Sequence, residues 1–264
     1  VWIRDDNNNR KIRWQPWEYL LDLLTIFEKY QEVDIDKARQ LGITWTVIGY
    51  GVHKGLFNEV ARNLYLSYKE EGGSWELISK TRFILDHLPD YLKRPLTHDS
   101  RSSLRFDDSY SEIIALPSTD KAGSGYNATL VIRDELYNHP EGESNFAAIA
   151  PTIDAGGQII NLSAIYGDDM QNHFVVRVSD FVHSMGTVKK VLPSGLELYT
   201  NPAYPTRAVV FLGWRLRPVR LEGLTLEEFY ETRLKPRYTK HQLERQYPEK
   251  IEDTLKISLS SVFF

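Results

Sequence analysis

Between Pro16 and Tyr30 the apolar residues Trp17, Leu20, Leu21, Leu24 and Phe27 recur at helical spacing, and Pro16 suits the first turn of a helix. Glu32 to Asp36 reads as a short strand, and Thr44 to Phe57 as a helix that turns Val47, Ile48 and Val52 inward. Asn63 to Ser67 predicts another strand. Ser67-Tyr-Lys-Glu70 has the form of a capping box, which predicts a long helix starting there. Leu77, Ile78, Thr81, Ile84, Leu85 and Leu88 fall on one face of that helix, and Pro89 closes it. Ser103 to Phe106 and Glu112 to Leu116 predict a β hairpin. After a polar loop from Pro117 to Asn127, Thr129 to Arg133 and Gly157 to Ser163 have the apolar, β-rich runs of buried parallel strands, with a helix between them over Asn145 to Ile153. Phe174 to Val178 and Ala208 to Trp214 read as further strands, and Thr225-Leu-Glu-Glu228 as the capping box of a later helix. No internal repeat is visible. Strands alternating with helices predict an α/β fold with a mostly parallel sheet covered on both faces.

At 264 residues and 42% hydrophobic, the chain is long enough for one large α/β domain. It contains no cysteine, which excludes a disulfide framework and thiolate metal sites and suits a reducing cytosol. No apolar run approaches the ~18 residues that span a bilayer. The best candidate, Tyr19 to Phe27, is short and carries Asp22. No secretory signal is visible, and a start at Val1 implies a missing or processed N-terminus. The net charge of −4 conceals an asymmetry: Arg207 to Lys250 holds ten Lys/Arg against six Asp/Glu. Such a segment suits either a phosphate-facing surface or ordinary solvated helices.

The chemistry lies at strand ends. Lys37-Ala-Arg-Gln-Leu-Gly-Ile-Thr44 stands between a strand and a helix, the context of a phosphate-binding loop. Gly42 and Thr44 occupy the places of the last glycine and the magnesium-binding hydroxyl, but Ile43 fills the lysine slot. Lys37 or Arg39 supplies the cation instead. A lysine acts there as a point charge on a flexible stem, so it can reach the phosphates from the start of the loop. Asp134-Glu135, at the end of an apolar strand, forms the matching acidic pair: Asp134 for magnesium and Glu135 to orient water. Ser163 ends another strand, where its hydroxyl either senses a γ-phosphate or caps the following turn. His53, His87 and His139 lack ligand spacing and read as ordinary residues.

Taken together, these residues resemble the ATPase domain of the large terminase subunits of tailed bacteriophages, over about Trp14 to Leu255. Arg13-Trp14-Gln15-Pro16-Trp17 looks like the adenine-recognition segment, with Gln15 the adenine contact or a solvated helix-start residue. Lys37 to Thr44 looks like its Walker A, Asp134-Glu135 like its Walker B, and Ser163-Ala-Ile165 like its coupling motif. Ser67-Tyr-Lys-Glu-Glu71, Leu88-Pro-Asp-Tyr-Leu92 and Gln246-Tyr-Pro-Glu249 resemble other family segments. The resemblance implies a P-loop NTPase fold of ASCE type. It divides the chain into an adenine-motif helix (about 1–30), a core (about 31–180) and a lid running into a linker (about 181–264). It also implies hydrolysis of ATP with Mg2+, driving double-stranded DNA into a procapsid. The implied partners are the portal protein, the small terminase subunit and further copies in a ring, a pentamer. The implied location is the bacterial host cytoplasm and, transiently, the procapsid portal, with no membrane involved.

The implied site has Glu135, Lys37 and Arg39 as catalytic residues and Thr44 with Asp134 on the metal. Gln15, Lys37, Ala38, Arg39, Gln40, Leu41, Gly42, Ile43, Thr44 and Ser163 surround the nucleotide. Two departures stand out. Ser124 occupies the loop position where many relatives carry a trans-acting arginine, leaving Arg101, Arg105 and Arg133 as alternatives. The family's nuclease domain would begin near Phe264, so an excised ATPase domain without DNA cleavage is expected. The rival readings are a nucleotide-binding or portal-docking module with little hydrolysis, and a helicase-type translocase, which needs a second motor domain.

Overall fold

In the computed structural model, which describes residues 1–5, 8–216 and 223–255, the chain opens with a hairpin of β1 (Trp2–Asp5) and β2 (Arg10–Arg13). There follow α1 (Glu18–Lys29), β3 (Glu32–Lys37), α2 (Ile43–Phe57), β4 (Arg62–Ser67) and α3 (Trp75–Asp86). Next come β5 (Leu96–Asp99), β6 (Ser103–Phe106), β7 (Glu112–Pro117) and β8 (Leu130–Asp134). Two short helices, α4 (Gly142–Ile149) and α5 (Pro151–Asp154), lead to β9 (Gln158–Ser163) and α6 (His173–His183). The last elements are β10 (Val188–Val191), β11 (Glu197–Thr200), β12 (Arg207–Leu212), α7 (Leu226–Phe229), α8 (Lys240–Gln246) and α9 (Ile251–Leu255). The expected linker after Leu255, and Arg217 and Arg220 of the basic segment, lie outside the described residues.

Ten strands form one sheet in the order β10-β11-β12-β3-β9-β8-β4-β7-β6-β5. The stretch from β12 to β7 is parallel, and the pairs at both rims are antiparallel, including the expected β6–β7 hairpin. Parallel strands covered on both faces bury every residue, which is why β8 reads as a continuous apolar run. Val33, Ile35, Ile132 and Ile160 face a core shared with α1, α2 and α3. On the other face Val131, Ile159, Leu64 and Leu66 pack with Ile149 of α4, while Val209 and Phe211 pack with α6 and α9. Register places Asp36 beside Ser163, and Leu162 beside Asp134. The carboxyl ends of β3, β9 and β8 therefore lie side by side at one edge.

A polar row crosses the second face. Asp34, fully buried, accepts bonds from Arg207 (2.8 Å), Arg177 (3.1 Å) and Asn161 Nδ2 (2.7 Å). Burial alone raises its pKa. The Arg177 and Arg207 guanidiniums outweigh that and hold the carboxyl well below the usual carboxylate range.

Three expectations need correction. Ser67 does not cap a helix: it is the last residue of β4, paired with Pro117, and its carbonyl accepts the Ser118 N–H. The chain then turns through Gly72, at φ +68°, and the helix starts at Trp75. Pairing in the sheet outcompetes the local cap. Phe174 to Val178 is helix, not strand: Asn172 Oδ1 accepts the Phe174 N–H at 3.0 Å, and Phe174, Val175, Val178 and Phe181 are its buried stripe. A short apolar run is ambiguous between the two periods until its cap and length are known. The helix expected over 145–153 is divided at Pro151. By contrast, the Thr225 capping box forms with both reciprocal bonds, 3.2 and 2.7 Å. Among the described residues no helix is long and apolar enough to cross a membrane.

Candidate nucleotide site

After Lys37 the chain keeps to β12 for one more residue, Ala38 N–H donating to the Leu212 carbonyl at 2.8 Å. It then curls back through Gln40 (φ +62°) and Gly42 (φ +76°) into α2. The left-handed backbone at Gly42 is the conformation that glycine adopts without Cβ strain, and an added Cβ would stand 3.5 Å from the Trp17 ring. No side chain caps α2, so the amides of its first turn are left to the solvent or to an anion. Two residues anchor the loop. Leu41 is buried, its carbonyl accepting the Tyr19 hydroxyl at 2.8 Å, and Ile43 is 1% exposed in the main core. The usual lysine slot is thus filled by a core residue.

A cavity of about 280 Å³ opens in front of the loop. Lys37, Gly42 and Thr44 line one side, Gln15 and Trp17 a second, and the β1–β2 hairpin closes a third through Arg4 and Arg13. Gln15 and the phosphate loop therefore face the same space. Trp14 is fixed beside them by its Nε1–H bond to Thr46 Oγ1, 3.1 Å. Arg4 is tied by an ion pair to Glu76 of α3, which fastens the hairpin over the site. The four-residue strands of this hairpin, one half-buried and one mostly exposed, are too short to carry a usable sequence signal.

Thr44 Oγ1 lies 3.5 Å from Asp134 Oδ1, and the same carboxylate oxygen accepts the Glu135 N–H at 3.1 Å. Burial pushes the Asp134 carboxyl up to about 6; Lys37 pulls against that rise, the Glu135 charge adds to it, and Lys80 opposes it. A hydroxyl and a carboxylate oxygen brought together, with electrostatic demand for a cation, fit magnesium held partly by protein and partly by phosphate. Among the described residues no group of three or more His, Asp or Glu side chains forms a metal cage. Glu135 itself is exposed, at φ +55°, so its carboxylate stands clear of the strand.

Behind the acids, His139 Nε2 donates to the Asp134 carbonyl at 2.8 Å. Burial, with Arg133 adding to it, drives the His139 pKa down to about 3, so the ring is a neutral support for the acid-bearing turn. Its sequence position gave no hint of this. Ser163 Oγ accepts the Tyr137 N–H at 3.0 Å, linking the end of β9 to the same turn. Arg39 is exposed and stacked over the Tyr166 ring, 5.3 Å from its centroid, outside the cavity that Lys37 lines. Of the three alternative arginines, Arg133 is 0% exposed and bonded to the Gly142 carbonyl, so it does not reach outward. Arg101 and Arg105 are exposed on the β5–β6 side of the sheet.

A glycine loop between β3 and α2, an acid-bearing strand β8, and β9 inserted between them define a P-loop NTPase fold of the ASCE arrangement. No protein-family model matches the sequence. Among solved structures, the chain is similar to the large terminase ATPase domain of Thermus phage P74-26, with a TM-score of 0.59 at 16% identity over 89% of this chain and 98% of that one. It is also similar to the HK97 bacteriophage large terminase, with a TM-score of 0.58 at 14% identity over 96% of this chain and 48% of that one. The chain thus spans about half the length of the latter. At these identities the likeness establishes the fold.

Proposed function

We propose that this chain is an ATP-hydrolysing motor domain of a phage terminase, which drives double-stranded DNA into a procapsid. The observation that carries this reading is one cavity shared by Gln15, Lys37, Gly42 and Thr44, with Asp134 bonded to Thr44 behind it. The fold shared with two terminase structures supports it. In this reading Gln15 contacts the adenine, and the amides from Arg39 to Thr44 cradle the phosphates. Lys37 neutralises phosphate charge, and Arg39 approaches from the Tyr166 side. Thr44 and Asp134 would hold a magnesium ion, which when bound offsets the charge that develops on the phosphoryl oxygens. Glu135 orients the attacking water and accepts its proton. Ser163, bonded to the turn after Asp134, relays the state of that turn to β9. The partners are double-stranded DNA, a portal protein, a small terminase subunit and further copies in a ring, in the host cytoplasm.

The test is ADP release from ATP with and without magnesium, repeated with duplex DNA. Magnesium-dependent turnover that DNA raises is the expected result. No nucleotide binding, or binding with no turnover even when DNA is added, removes the motor reading.

A further inference from the structure

Asp36 has none of the roles assigned above, yet it sits one residue before Lys37 and is 0% exposed. It stands in register with Ser163 of β9 and Phe211 of β12. Asp36 Oδ2 lies 2.6 Å from Thr254 Oγ1 on α9, and that hydroxyl oxygen lies 2.7 Å from the Ile251 carbonyl. A hydroxyl has one proton, so it cannot fill both contacts if Asp36 is a carboxylate. Both are filled when Asp36 is the neutral acid: its O–H donates to Thr254 Oγ1, and the Thr254 O–H donates to Ile251. Burial acts in the same sense, pushing the carboxyl up to about 7 against the Thr254 bond, the Ile165 N–H, the Lys37 charge and the Lys37 N–H. The other groups around it are Tyr199 on β11 and, through Thr254, Arg245 on α8.

Arg245 makes the second link. Only 4% exposed, it donates to the Thr254 carbonyl (2.5 Å) and to Asp168 in the loop after β9 (2.6 Å). Nearby, the Trp214 backbone N–H donates to the Pro248 carbonyl at 3.0 Å, seating the turn between α8 and α9 at the end of β12. Helices α8 and α9 are thereby bonded across the carboxyl ends of β12, β3 and the loop beyond β9.

We propose that Asp36, Thr254 and Arg245 form a strut in which α8 and α9 position the end of β3, and with it Lys37, for hydrolysis. The proposal rests on reading the cavity as an ATP site. All three are positioning residues, since none lines the cavity. Their leverage is geometric: a displacement of about 1 Å in a phosphate-binding group costs up to about a hundredfold in rate.

The neutral form has its own signature. The folded state keeps the Asp36 proton up to about pH 7, whereas an ordinary carboxyl loses it near 3.8, so wild-type stability falls as pH rises between these values. Asp36→Asn keeps an uncharged donor to Thr254 and escapes that loss. In urea unfolding it is expected to gain on wild type as pH rises from about 4 to about 7. Parallel stability across that range overturns the protonated form.

The strut is tested by steady-state ATPase kinetics, after nucleotide binding to the wild type has been measured. Thr254→Val is expected to lower kcat about tenfold with KM within about twofold, and Thr254→Ser to restore kcat. Thermal unfolding checks the fold, and Arg245→Gln serves as the second variant should Thr254→Val not fold. An unchanged kcat in a folded variant, or a loss that Thr254→Ser does not restore, rejects the strut while leaving the nucleotide reading intact. Absence of nucleotide binding in the wild type rejects that reading, and the strut with it.

Discussion

Replacing Glu135 with glutamine is expected to slow ADP release by about a hundredfold or more, with nucleotide affinity changed by less than about threefold. Glu135 directly follows Asp134, the residue proposed to hold magnesium, on a backbone turned to φ +55° that lifts the side chain clear of β8. The amide keeps the size and reach of the acid but cannot accept a proton from water. The turn itself is held by contacts that the substitution leaves alone: Glu135 N–H to Asp134 Oδ1, His139 to the Asp134 carbonyl, and Tyr137 N–H to Ser163. The cradle for the phosphates also remains, so binding and turnover separate. Single-turnover ADP formation alongside equilibrium binding of a non-hydrolysable analogue measures both. Wild-type turnover in this variant strips Glu135 of the role, and a wild type with equally little turnover favours a binding module.

The layout of the candidate site was legible in the sequence because it lies on features that burial writes into the chain. β8 is buried at every position, so its apolar run and the acids that end it could be read directly. The step from β3 through Gly42 to α2 was legible for the same reason, a strand and a helix on either side of a turn that demands glycine. What failed was local signal overruled by distant pairing. Ser67-Tyr-Lys-Glu70 is a sound cap in isolation, but Ser67 belongs to a strand whose partner is 50 residues away. Arg133 looked like an outward cation only because a sequence does not say which side chains of a central strand meet other buried polar groups, here Asn161 and Gly142. The Asp36–Thr254 bond joins residues 218 positions apart. No spacing rule reaches that far.

Lys37→Ala is expected to lower kcat/KM by about a hundredfold, the scale of losing one charged group that stabilises the transferring phosphoryl. Arg39→Ala is expected to cost less than about tenfold. The difference follows from placement. Lys37 ends β3, lines the cavity with Gly42 and Thr44, and is close enough to lower the rise in the Asp134 pKa. Arg39 lies two residues on, exposed, with its guanidinium over Tyr166. With Ile43 buried in the core, no cation emerges from the usual slot, so in the proposed reading the phosphates would depend on the charge delivered by the strand end. Lys37→Arg offers a finer test, because a guanidinium restores the charge but not the compact ammonium and its reach. Partial recovery in that variant supports a point-charge role. Equal losses in Lys37→Ala and Arg39→Ala divide the role between them, and a larger loss in Arg39→Ala moves the phosphate cation to the Tyr166 side.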